Sequence, residues 1–87
     1  MGDDMQRRLQ LSYPCEWTYL VIGPDETDLR LAIHQIVQDR THTVALSNTS
    51  ASGKYVSLKV LVVVYNDEER TGIYYALNDH PATKVVI

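Results

Sequence analysis

The chain has 87 residues, 45% of them apolar, which suffices for one compact domain and not for two. Its formal net charge is -3 and no segment concentrates Lys or Arg, which argues against electrostatically driven binding to nucleic acid or to an anionic membrane. The single cysteine, Cys15, rules out an intrachain disulfide and a thiolate metal cluster, and a lone thiol fits a reducing, cytoplasmic setting.

Residues 1–13 are polar and read as a flexible N-terminal arm, leaving 14–87 as a single domain. The arm has no apolar run of signal-peptide length, and Gln6 stands where a myristoylation motif needs Ser or Thr. After Pro14, "WTYLVIG" (Trp17–Gly23) is a β-rich run ended by Gly23-Pro24. In "PDETDLRLAIHQIVQDR" the period changes. Leu29, Ile33, Ile36 and Val37 form one helical stripe, and Asp25 is placed to cap it, with Asp28 in the capping-box position. His42 falls in the following loop, and Thr43–Ser50, poor in bulky residues, predicts an edge strand.

Beyond the loop "SASGKY", Val56, Leu58, Val60, Val62 and Val64 repeat with period two, while Tyr55, Ser57 and Lys59 point the other way. The apolar run "VLVVVY" within this stretch is too short to cross a bilayer. "NDEERTGIYYALND" predicts a second helix capped by Asn66 or Asp67, with Ile73, Tyr74 and Leu77 on its buried side. His80-Pro81 stops it, and "TKVVI" supplies a last strand. The order β-α-β-β-α-β predicts an α+β, ferredoxin-like sandwich. Its four-stranded antiparallel sheet has strand order 4-1-3-2, with both helices on one face.

The loop Ser50–Tyr55 contains a Gly-Lys pair that invites a phosphate-site reading. A P-loop, however, needs an earlier glycine where Asn48 stands, Ser or Thr where Tyr55 stands, and a helix rather than a strand afterwards. Ser50, Gly53, Lys54 and Tyr55 are therefore read as a hairpin, with Gly53 supplying a positive φ and Lys54 solvated. The βαββαβ order also suits an RNA-recognition domain, but Ser57 and Lys59 occupy positions where stacking rings belong. His34, His42 and His80 share no metal-ligand spacing with one another or with Cys15, and no nucleophile–base pair appears. No metal, cofactor or catalytic residue is assigned. One feature is unusual. Leu20, Ile22, Leu61 and Val63 alternate with the helix-facing residues, so they line the back of the sheet as an apolar association surface unless Leu9 and Leu11 of the arm fold over it.

The stretches "YPCEWTYLVIG", "SASGKYVSL" and "IYYALNDHP", with the short last strand, resemble the YbeD-like family of small bacterial proteins of unassigned function. That resemblance implies a ferredoxin-like fold similar to ACT regulatory domains and a role in allosteric or small-molecule control. ACT domains bind amino acids at the loop after the first strand, which corresponds to Gly23, Pro24, Asp25 and Asp28. The ACT pattern D-x-P-G-L, laid on "DETDL", matches Asp25 and Leu29 but meets Thr27 and Asp28 in place of proline and glycine. The expectation is a non-catalytic regulatory or interaction domain, acting with an unknown protein partner or as a homodimer. The alternative is a small-molecule sensor using that loop and the hairpin. RNA binding and a minimal enzyme are disfavoured.

Overall fold

The computed structural model describes residues 11–87; the expectation for residues 1–10 of the arm, including the covering role of Leu9, lies outside them. Six elements follow in the predicted order: β1 Cys15–Gly23, α1 Glu26–Val37, β2 His42–Thr49, β3 Val56–Val64, α2 Asp67–Asp79 and β4 Val85–Val86. All strand pairs are antiparallel and the sheet order is β2-β3-β1-β4, the predicted topology. Structure and sequence agree on a ferredoxin-like fold.

The period-two pattern of β3 explains its position. Leu58, Val60, Val62 and Val64 are fully buried beneath the helices, and the alternate residues Leu61 and Val63 are only half-buried on the other face. Tyr19 and Val21 of β1 join the same inner layer, and Leu29, Ile33 and Val37 of α1 and Ile73 and Leu77 of α2 close it from above. Each such side chain contributes about 1.5–3 kcal/mol by leaving water.

Both helices are capped as their sequences require. The Asp25 carboxylate accepts from the Asp28 amide at 2.9 Å, and the Asn66 side chain accepts from the Glu69 amide at 2.8 Å. Of the two predicted caps for the second helix, Asn66 is the one used. Tyr74 is half-buried, so the fully buried stripe of α2 narrows to Ile73 and Leu77.

Strand ends shift slightly from expectation. β1 begins at Cys15, because Cys15 already pairs with Val64, and His42 is not in a loop but opens β2 opposite Val62. β2 is an edge strand, as its composition suggests. A register shift between Leu46 and Asn48 interrupts its ladder, and Leu46 remains 52% exposed. An irregular edge of this kind resists adding further strands. The last strand shortens to two residues, although Lys84 and Ile87 extend its hydrogen bonding to Ile22 and Leu20. Tyr13, at the end of the predicted arm, packs against the core.

Candidate functional site

The hairpin is a closed turn. The Ser50 amide donates to the Tyr55 carbonyl at 2.9 Å and the Gly53 amide to the Ser50 carbonyl at 2.8 Å, while the Ser50 hydroxyl accepts from the Tyr55 amide at 3.0 Å. Gly53 has φ 72°, the left-handed conformation that L-residues avoid. Lys54 is exposed, its ammonium 5.8 Å from the centre of the Tyr55 ring. No helix follows. Gly53 turns the chain, and Lys54 stands at its surface.

In the β1–α1 connection, Asp25 and Asp28 are exposed and tied into the helix cap, so the Asp25 carboxylate is already committed to a backbone amide. Gly23 is buried for a reason of packing. A Cβ there would lie 2.4 Å from the Ala82 carbonyl oxygen and 2.8 Å from Leu29 Cδ2. Pro24 departs in another direction, toward the hairpin. Because Gly23 pairs with Val56, and Ile22 with Val85, the end of β1 meets the start of β3 and the start of β4. Pro24, Lys54, Tyr55, Pro81, Thr83 and Lys84 thereby line one cleft of about 250 Å³. The structure thus unites one residue of the predicted ligand loop with two of the hairpin, and leaves Asp25 and Asp28 aside.

The register also rearranges the outer face of the sheet. Leu20 stands opposite Lys59 and Ile22 opposite Ser57, whereas Leu61 faces Thr18 and Val63 faces Glu16. The four predicted surface residues therefore form two pairs set diagonally across the ladder. Leu20 and Ile22 gain different neighbours. Ile22 pairs with Val85, and Leu20 exchanges two hydrogen bonds with Ile87 at 3.0 and 2.9 Å. Val85 and Ile87 are 40% and 71% exposed. The compact apolar group is Leu20, Ile22, Val85 and Ile87.

A further cluster has no counterpart in the sequence reading. The Tyr13 hydroxyl donates to the Asp67 carboxylate and accepts from Arg70 Nε at 3.3 Å, and the Arg70 guanidinium lies 4.9 Å from the Trp17 ring centre. The Tyr19 hydroxyl donates to the Arg70 carbonyl at 2.5 Å. These contacts pin the first turns of α2 to β1, and beside them Trp17, Tyr74, Tyr75 and Ile87 border a groove of about 320 Å³. Inward alternation along β1 could have flagged Trp17 and Tyr19. For Arg70 the sequence shows only its i,i+3 spacing from Asp67, whose carboxylate lies 3.6 Å away, while its contacts with Tyr13 and Tyr19 join residues more than 50 positions apart.

Burial pushes the Tyr19 phenol up to about 12, and partial desolvation with the Asp67 carboxylate raises that of Tyr13. Both phenols stay protonated at neutral pH and serve as donors, not bases. Above the usual tyrosine value of about 10 the unfolded chain loses this proton first, so stability should fall between about pH 10 and 12. Allowing for solvent screening, Tyr19 should account for about 1–2 kcal/mol of that loss. Denaturant titrations across this range should show a flatter decline for Tyr19→Phe; an identical decline would assign the effect elsewhere.

Among the described residues, no three of His, Cys, Asp and Glu come close enough to hold a metal ion, and no helix is long and apolar enough to cross a membrane. Residues 9–87 match the model of a family described as "Protein of unknown function (DUF493)". The chain is 32% identical over 85 residues to the UPF0250 protein RSc0326 of Ralstonia nicotianae, covering 93% of this chain and 88% of that one. It is 32% identical over 71 residues to the uncharacterized protein Cj0253 of Campylobacter jejuni, covering 82% of each. The solution structure of protein HP0495 from Helicobacter pylori superimposes with a TM-score of 0.77 at 25% identity, over 90% of this chain and 86% of that one.

Proposed function

The chain belongs to the DUF493 family of proteins of unknown function, and from that premise we propose that it is a non-catalytic regulatory or protein-interaction domain of ACT-like form, acting by association through its sheet. The observation that carries this reading is the aliphatic group of Leu20, Ile22 and Val85 on the outer face of the sheet, continued at its β4 edge by Ile87, which also borders the groove beside α2. Apolar side chains gathered at a sheet edge gain most by burial against another chain. Leu61 and Val63 extend the surface diagonally, which a stable interface needs, since such interfaces remove upwards of about 1,000 Å² in total. The partner is a second copy of this chain or another protein, and the lone thiol Cys15 supports a reducing compartment such as the cytoplasm.

Ile22→Lys combined with Val85→Glu tests the reading, because the opposite charges can still pair across the strands while the surface becomes polar. The double variant should keep its circular dichroism spectrum and lose the concentration-dependent sedimentation of the parent. A parent chain that sediments as a monomer at high concentration removes the homodimer. If cross-linked partners from the native cell are then the same for parent and variant, association through this face is wrong.

A second reading is favoured by a separate observation, the cleft between Pro24, the hairpin and the start of β4. It makes the domain a small-molecule sensor whose ligand sits at the end of β1, with Lys54 and Tyr55 rather than Asp25 and Asp28 as its contacts.

A further inference from the structure

The cleft at the end of β1 gathers two cationic side chains against an apolar wall. The chain carries three lysines, Lys54, Lys59 and Lys84, in a protein of net charge -3. Two of them, Lys54 and Lys84, line this one cleft, and among the described residues no Asp or Glu does. Their convergence is tertiary. Lys54 arrives on the hairpin, and Lys84 is placed by its amide, which donates to the Ile22 carbonyl at 2.7 Å beside Gly23. The remaining walls are largely apolar: the Tyr55 ring and the two prolines Pro24 and Pro81. Thr83 completes the lining, and its buried hydroxyl has no hydrogen-bond partner among the described residues. The volume of about 250 Å³ lies below the range of about 300–1,000 Å³ common for larger ligands, so a small molecule fits.

We propose that this cleft binds a small organic anion, its carboxylate or phosphate held between the Lys54 and Lys84 ammonium groups and its apolar part resting on Tyr55, Pro24 and Pro81. The inference rests on the sensing reading above and names the ligand class for it. Two flexible ammonium groups suit a head group of either geometry, since lysine acts as a mobile point charge and not as a planar fork. Rigid prolines and an aromatic ring supply contact surface with little side-chain ordering to offset it.

The test is a ¹H–¹⁵N NMR titration of the chain with benzoate, phenyl phosphate, inorganic phosphate and, as a cationic counterpart, benzylamine. Benzoate or phenyl phosphate should produce saturable shifts centred on the Tyr55, Thr83 and Lys84 amides, with dissociation constants on the order of 1 mM or tighter. Lys54→Ala and Lys84→Ala should each weaken binding about tenfold, while the two Lys→Arg variants retain it. Saturation by benzylamine alone would leave the sensing reading standing and remove the anion. Inorganic phosphate binding as tightly as phenyl phosphate would remove the role of the apolar walls, and anion binding indifferent to both Lys→Ala changes would remove the site. No saturable shift at the cleft with any probe would overturn the sensing reading as well.

Discussion

Gly23→Ala is expected to destabilise the fold by about 3 kcal/mol, although alanine is the smallest side chain that can be added. The added Cβ would lie 2.4 Å from the Ala82 carbonyl oxygen, a backbone atom that cannot rotate away, and 2.8 Å from Leu29 Cδ2. Shifting Ala82 would disturb the segment that leads into β4 and the hydrogen bond from Lys84 to Ile22. Alanine also restricts the unfolded chain, which favours folding by about 0.4–1 kcal/mol, but the clash is several times larger. Gly53 provides the contrast. A Cβ there meets nothing within 4 Å, so Gly53→Ala bears only the left-handed backbone cost. That cost is about 1–2 kcal/mol, reduced by the same unfolded-state effect to a net loss of roughly 1 kcal/mol. Equilibrium denaturation of both variants checks the ranking. Equal losses would mean that the Ala82 segment yields readily and that Gly23 is a turn residue like Gly53.

Leu77→Ala should cost about 2–5 kcal/mol, a large share of the roughly 4–13 kcal/mol expected for a domain of this length. Among the described residues α2 sends only Ile73 and Leu77 fully into the core, so the truncation empties half of its buried contact. The helix has little else to keep it regular in isolation, since Gly72 sits mid-helix and lowers its propensity by about 1 kcal/mol relative to alanine. A simple cavity would leave the urea m-value unchanged, whereas undocking of α2 would reduce it, because less surface would remain to be exposed. A loss below about 1 kcal/mol would show that the polar contacts of Tyr13, Asp67 and Arg70 hold the helix instead.

The architecture was legible because it rests on local periodicity. The two-residue alternation of Val56–Val64 and the 3.6-residue stripe of Leu29, Ile33 and Val37 each require a particular element to hide their apolar face. With the hairpin turn at Gly53 and the caps at Asp25 and Asn66, few arrangements other than a ferredoxin-like sandwich remain. The candidate sites were legible only in part. Alternation assigns Leu20, Ile22, Leu61 and Val63 to one face, but their neighbours depend on register, and register is a relation between strands. The pairing of Ile22 with Val85 and the placing of Leu61 opposite Thr18 decided that the apolar group lies at the β4 edge.

The same distinction separates the two lysines of the cleft from the glycine beside them. Each appears in the sequence as an isolated surface charge, in a hairpin and in a terminal segment 30 residues later. They share a wall because β1 lies between β3 and β4 in the sheet, so the ends of all three strands converge. Sequence alone determined that Gly53 turns the chain, since a hairpin between two strands demands a positive φ within the loop. Only the tertiary structure decided why Gly23 is glycine, because the atoms that exclude a Cβ there belong to Leu29 and Ala82, the latter nearly 60 residues away. Local periods and turn chemistry act between chain neighbours and can be read from their order. Close approach, charge convergence and register arise between segments that meet only when the core has formed.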